Sequence, residues 1–434
     1  NSQISIMSAK NKTRNGYKSK SKKDNKQGNS NNKSPIPQEG PTQPINWHDN
    51  AVVTDIHVPW LYEAHSVLLL IIVLFVIFYC AFTMEGSLQL GIKLVIFLFM
   101  AIGCLVFPAG PFERPHPIFW RFIFSISVLY ACFLLLLLSQ SPDGARILLR
   151  KLFNDESLGY PLPEKSYAVD CRFRFDVIWS CCDRFILAHF LGWAIKSAVV
   201  RDRSLCWVLS VLWEVIELAT KYFIPNFAEC WWDQLILDVL LCNGLGIECG
   251  LLFARIWYND DERRYRRDWF GQGMYDFGSV CLKFKRLFIQ LTPTSLTPMY
   301  WQPLSTLTRF FQIQLFIICA VFLDLNAFLL KLFLYIPTEH PLNILRLVLF
   351  LFFLTVSCKQ YYLYLTNEKC RKIGSQVWMF FVILVLELGL SYKCAPSPFP
   401  EMPYINKVCF SIGGIAYLAF TYVMFRDLKH VKAD

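Results

Sequence analysis

Ten apolar runs recur along the chain, at residues 65–84, 90–110, 117–139, 183–200, 204–222, 231–257, 310–336, 342–365, 376–393 and 404–425. A helix needs about 17–25 residues to cross a bilayer. Backbone polar groups in lipid must also bond within their own segment, which favours helices over open strands. The pattern therefore predicts an all-α fold, a polytopic membrane protein with about ten transmembrane helices. Two runs are interrupted by charge: 183–200 by His189 and Lys196, and 204–222 by Glu214 and Glu217. Residues 1–45 break the pattern completely. They are rich in Asn, Ser and Lys and nearly free of large apolar residues, which predicts a disordered tail ahead of a membrane catalytic domain at 46–434.

Composition sharpens this picture. Of the 434 residues, 55% are hydrophobic and only 18% charged, against about 25% charged in a soluble domain. A disulfide-stapled secreted scaffold and a disordered regulator are both excluded. The net charge of +10 comes mostly from the tail, where nine basic residues face Asp24 and Glu39. The basicity thus does not describe a nucleic-acid-binding body, and no nucleic-acid partner is expected. Most of the sixteen Cys lie in apolar runs, as Cys80, Cys104, Cys132 and Cys319 do, and read as small hydrophobes.

Lys and Arg set the orientation. With the basic N-terminus in the cytosol, ten spans place Arg114, Arg201, Arg203, the cluster from Arg263 to Arg286, Arg371 and Arg426 on the cytosolic side. The opposite loops at 85–89, 337–341 and 394–403 contain no Lys or Arg.

Ionisable groups in lipid should be rare, each costing about 2.5–3.5 kcal/mol at mid-bilayer. Yet spans four to six and their links contain His189, Glu214, Glu217, Glu229, Asp233 and Asp238, with the amides Asn226 and Asn243. Four or five unpaired carboxylates would cost roughly 10–15 kcal/mol on that scale. A divalent cation in a wet cavity resolves the conflict, and an oxygen-only donor set suits Ca²⁺ or Mg²⁺ better than zinc. The topology places all six ionisable groups in the lumenal half. Asp238 raises a difficulty, because on an ideal α-helix it is rotated about 140° from Asp233: either it faces another neighbour or the helix start is irregular. Trp231 and Trp232 read as interfacial anchors before substrate contacts. Asp324, Asn326 and Glu387 are isolated in their spans and read as structural hydrogen-bonding groups. Asp143-Gly144-Ala145-Arg146 lacks the downstream aspartates of the CDP-alcohol phosphotransferase motif, and His430-Val431-Lys432 lacks the spacing of the HxKxxxxD phospholipase motif. Both routes are rejected. A transporter or lipid scramblase with a cation-binding acidic cluster is the main alternative, though no inverted repeat supports it. An acyltransferase does not need the carboxylates.

The block IPNFAECWWDQLILDVLLCNGLGIECG (224–250) closely resembles the signature of the eukaryotic base-exchange phosphatidylserine synthases. AHFLGW (188–193), GPFERPHPIFWR (110–121), FNDESLGYPLPEKSYAVDC (153–171), FKRLFIQLTP (284–293) and LDLNAFLLK (323–331) share the resemblance. It implies a multi-pass endoplasmic-reticulum enzyme that replaces the head group of phosphatidylcholine or phosphatidylethanolamine with L-serine and needs Ca²⁺. Its product is phosphatidylserine, its other partners are membrane lipids, and a homo-oligomer is left open. The family's site maps onto His189, Glu214, Glu217, Asn226, Glu229, Asp233, Asp238 and Asn243. Within it, His189, Glu214 and Asp238 are expected to be catalytic. Glu214, Glu217, Asn226, Glu229, Asp233 and Asp238 are the expected metal ligands, and Asn243 and Trp231 the expected substrate contacts. A regulatory, cytosol-facing region that senses product maps onto Arg114, His116, Arg286, Gln290 and Pro293.

Overall fold

A computed structural model describes residues 64–84, 88–112, 115–161, 168, 170–181, 184–259, 299–367, 370, 372–396 and 400–431. The basic tail, Arg114, Arg286, Gln290 and Pro293 lie outside the described residues. Among those described the chain is helical, with no strand. The helices are α1 (Ala64–Thr83), α2 (Leu88–Val106), α3 (Pro117–Ser139), α4 (Pro142–Phe153), α5 (Phe175–Cys181), α6 (Arg184–Val200), α7 (Arg203–Thr220), a 3-10 turn (Pro225–Phe227), a π-helix (Asp233–Leu245), α8 (Gly246–Asn259), α9 (Leu307–Leu334), α10 (Pro341–Thr366), α11 (Ser375–Cys394) and α12 (Tyr404–Val431).

Among the described residues, each of the ten apolar runs is helical over most of its length. Among the described residues, six stretches are long and apolar enough to cross a membrane: Gln89–Val106, Pro117–Ser139, Asp233–Ile256, Leu307–Leu334, Pro341–Thr366 and Ser375–Cys394. Leu70–Thr83 and Phe185–Val200 are apolar but shorter. Large apolar side chains face outward along whole helices, as Phe75, Phe78 and Phe82 do on α1 and Ile412, Ile415 and Leu418 on α12. Water would penalise such surface and lipid does not.

The helix starts carry their own signals. His116 precedes Pro117 and caps α3, its Nδ1 accepting from the Ile118 N–H at 3.2 Å. Burial and then the Arg121 charge push this imidazole below its usual pKa, which suits an acceptor. Asp202 caps α7 by accepting from the Leu205 N–H at 3.0 Å. Such caps satisfy amides that the helix itself leaves orphaned.

Two features position the centre of the molecule. First, α8 packs against α6 through Gly246 and Gly250, four residues apart. A Cβ on Gly246 would lie 2.8 Å from the Phe190 carbonyl oxygen, and one on Gly250 would overlap the Ala194 carbonyl oxygen and Ser197 Oγ. Small residues at this spacing let two membrane helices approach backbone to backbone. Second, Glu387 of α11, fully buried, accepts from Arg346 Nε at 2.7 Å and Nη2 at 2.6 Å and from the Tyr130 hydroxyl at 2.6 Å. Asn326 Nδ2 donates to it at 3.4 Å. Glu387 and Asn326 therefore have the structural role their isolation in sequence implied.

Cysteine usage departs from the expectation of small hydrophobes at one place. Cys171 and Cys230 form a disulfide across 59 residues, joining the loop before α5 to the link before the π-helix.

Candidate active site

The site is built by α6, α7, the 225–230 link and the π-helix. α6 presents His189, whose Nε2 lies 2.7 Å from Asn243 Oδ1. Asn243 is fully buried and its orientation is fixed. Its Nδ2 donates to Glu214 Oε1 at 2.8 Å and to Ser210 Oγ at 2.9 Å. An ionised Glu214 only accepts, so the amide oxygen of Asn243 must face His189. This hydrogen-bond network assigns the proton of neutral His189 to Nε2 and leaves the lone pair on Nδ1. Nδ1 is 4.0 Å from Asp238 Oδ1. The Trp193 indole nitrogen also approaches Nε2, at 3.1 Å. One nitrogen cannot both donate to Asn243 and accept from Trp193, and the shorter, doubly anchored Asn243 contact decides the assignment.

The π-helix resolves the difficulty over Asp238. Its hydrogen bonds run i to i+5, so residues five apart stack close to one face. Asp233, Asp238 and Asn243 are spaced at five and all lie in this element, each buried. The irregular start is thus the device that brings Asp238 and Asn243 round to His189 and Glu214. π-Turns occur often at functional sites.

The carboxyls meet as two pairs. Glu214 and Glu217 lie within hydrogen-bonding reach of one another, as do Glu229 and Asp238. Two carboxylates cannot approach this closely unless a proton or a cation lies between them. Glu229, in the link, is pushed up to about 8 by burial first and by the Glu217 charge second. Of the buried side-chain oxygens without a hydrogen-bond partner among the described residues, three lie here, Glu214 Oε2, Glu217 Oε2 and Asn226 Oδ1, and two elsewhere, Asn326 Oδ1 and Ser391 Oγ. The first three belong to the expected cation ligands, and orphaned buried acceptors are what a hard cation would satisfy. Among the described residues, however, no three His, Cys, Asp or Glu side chains gather around one point in metal-holding geometry. The donor chemistry fits a cation, and the side chains are drawn together in pairs.

Trp231 faces outward. It is 59% exposed and stacks on Phe173 at 6.0 Å between ring centroids, as an interfacial anchor would. Trp232 is buried and its indole N–H donates to the Cys171 carbonyl at 3.3 Å. Sequence reasoning missed Ser210 and the proximity of Trp193 to His189; neither carries a charge that would have stood out in an apolar run.

The family model for phosphatidyl serine synthase matches residues 115–395, which contain the whole of this arrangement. The chain belongs to the phosphatidylserine synthase family. It is 38% identical to phosphatidylserine synthase 1 of Danio rerio over 385 residues, 86% of this chain and 80% of that protein. It is 34% identical to the phosphatidylserine synthase of Drosophila melanogaster over 88% of this chain and 78% of that protein. Identity to phosphatidylserine synthase 2 of Rattus norvegicus is 36%, over 78% of this chain and 72% of that protein. Both numbered types of this phosphatidylserine synthase family are thus similarly near.

Proposed function

We propose that this chain synthesises phosphatidylserine by calcium-dependent base exchange, replacing the choline or ethanolamine of a phospholipid with L-serine. The observation that carries the reading is the relay from Glu214 through Asn243 to His189, which leaves Nδ1 of a neutral imidazole basic and facing Asp238. Nδ1 takes the proton from the serine hydroxyl as its oxygen attacks phosphorus. The bond from phosphorus to the head-group oxygen breaks, and the leaving alcohol takes that proton from His189. One phosphodiester is consumed and one formed, so no external energy source is needed. Ca²⁺ held by Glu214, Glu217, Asn226, Glu229, Asp233 and Asp238 would neutralise charge on the phosphate oxygens. The rest falls to the protein: Asn243 holds the tautomer, Glu214 holds Asn243, and the surrounding helices limit water.

The proposed setting is the endoplasmic-reticulum membrane, with ten crossings, a cytosolic N-terminus and the site in the lumenal half. The disulfide between Cys171 and Cys230 supports this orientation, because disulfides persist in oxidising compartments and both cysteines lie in segments that the ten-span topology would put in the lumen. The regulatory reading of Arg114, His116, Arg286 and Gln290 is likewise a proposal. His116 is engaged in capping α3, so an anionic product head group would rely on the arginines. If Arg114→Lys leaves inhibition by added phosphatidylserine unchanged, that reading is lost. The function is tested by supplying labelled L-serine and Ca²⁺ to the purified chain in vesicles and measuring choline and ethanolamine released. Release equal to serine incorporated is expected. Incorporation without release, or neither, overturns base exchange.

A further inference from the structure

His189, Trp193 and Lys196 are spaced i, i+4 and i+7 and share one face of α6. The Lys196 ammonium lies 4.2 Å over the Trp193 ring, and the nitrogen edge of that indole is 3.1 Å from His189 Nε2. Lys196 and His189 are thus separated by a single indole. From α9, Asp324 meets Lys196 at 2.6 Å. Asp324 therefore has a partner, 128 residues away in sequence.

This pair differs from the buried pair of Arg346 and Glu387. Arg346 and Glu387 are 11% and 0% exposed and are sealed by Tyr130 and Asn326. Lys196 and Asp324 are 26% and 30% exposed, and among the described residues they hydrogen-bond only each other. An ammonium has three donors and a carboxylate about four acceptor sites, so most of their capacity is unused. Nor does Lys196 lie at a free helix end: the end of α6 is covered by Trp301, whose indole N–H donates to the Val200 carbonyl at 3.0 Å. Unused donors and acceptors on a partly exposed pair within membrane helices are costly to leave against lipid, so a polar ligand would be favoured there.

We infer that Lys196 and Asp324 bind the zwitterionic end of the incoming amino acid, Lys196 taking its carboxylate and Asp324 its ammonium, with the Trp193 indole lying between this pair and His189. The inference rests on the base-exchange reading and adds its selectivity. Serine presents an anion and a cation on one carbon, which is the complement of an open ion pair. Ethanolamine has the same hydroxyl and ammonium but no carboxylate. The Lys196 contact to the serine carboxylate is therefore what separates the incoming alcohol from the released one. A site that spends a charged group on one substrate discriminates strongly against the analogue lacking its partner.

Because the exchange is reversible, ethanolamine must also serve as an incoming alcohol, and this supplies the control. The measurement is the ratio of kcat/KM for labelled L-serine to that for labelled ethanolamine, on phosphatidylcholine vesicles containing Ca²⁺. Lys196→Met should lower this ratio at least tenfold through a higher KM for serine. Asp324→Asn should weaken both alcohols and move the ratio less than threefold. A pair that only ties α6 to α9 predicts that both variants lose expression or total activity with the ratio unchanged, and that result overturns the inference. Lys196→Gln keeps length and a donor; it covers the case in which Lys196→Met does not fold, and it should lower the ratio in the same direction. If the wild-type chain exchanges neither alcohol, base exchange itself fails and the inference with it. If the wild type exchanges both and neither Lys196 variant changes the ratio, only the inference fails.

Discussion

Replacing Glu217 or Asp238 by its amide removes a charge and preserves shape. Glu217 Oε2 is already an orphaned acceptor, so Glu217→Gln removes a buried negative charge without breaking a protein hydrogen bond to that atom. The variant should fold, and its exchange rate should fall steeply or its half-saturating Ca²⁺ should rise at least tenfold. Asp238→Asn should behave likewise. His189→Ala should retain Ca²⁺ binding, read by calorimetry or lanthanide luminescence, and lose exchange by about 10²–10⁴-fold, the usual span for a general base. Full activity with unchanged calcium dependence in all three removes this centre from consideration. The pH dependence follows from Glu229. A carboxyl held at about 8 is protonated at neutral pH without a cation, and a cation must displace that proton. Half-saturating Ca²⁺ should therefore fall as pH rises from 6 to 9. A flat profile would take Glu229 out of the ligand set.

Among elements, the close approach of α6 and α8 is the most exposed to substitution. Gly250→Val forces Cβ into the Ala194 carbonyl and Ser197 Oγ, with an overpacking cost of about 1–3 kcal/mol, and it displaces the helix that presents His189. Lower thermal stability in detergent and lower exchange should appear together. The Arg346 and Glu387 pair makes the opposite test. Arg346→Met alone leaves a buried carboxylate and should cost about 3–5 kcal/mol, whereas Arg346→Met with Glu387→Met should recover most of that. The helices were legible because apolar runs of this length have few other solutions, and the acidic centre was legible because charge in such runs is conspicuous. The π-helix was not. A reading at the α period put Asp233 and Asp238 on different faces, and only a spacing of five, continued to Asn243, marks the wider turn. Asp324 seemed solitary because its partner lies on another helix, and pairing across 128 residues leaves no local signal.

For the molecule as a whole, sidedness decides where the substrates arrive. Asn11-Lys12-Thr13 and Asn32-Lys33-Ser34 are glycosylation acceptors in the tail. In cells that glycosylate lumenal loops they should remain unmodified, read by the absence of a mobility shift on glycosidase treatment. Glycan on either would invert the proposed orientation. The bond between Cys171 and Cys230 bears on biogenesis as well. On the proposed topology the chain leaves the lumen in α6 and returns in α7 between those two cysteines. They can meet only after the ribosome has released both helices and the membrane has accepted both, polar residues included. A nascent chain that inserted just one of them would strand a thiol on each side. On that topology an oxidised pair is a mark of correct threading, and it closes a covalent ring of chain that contains His189, Glu214 and Glu217.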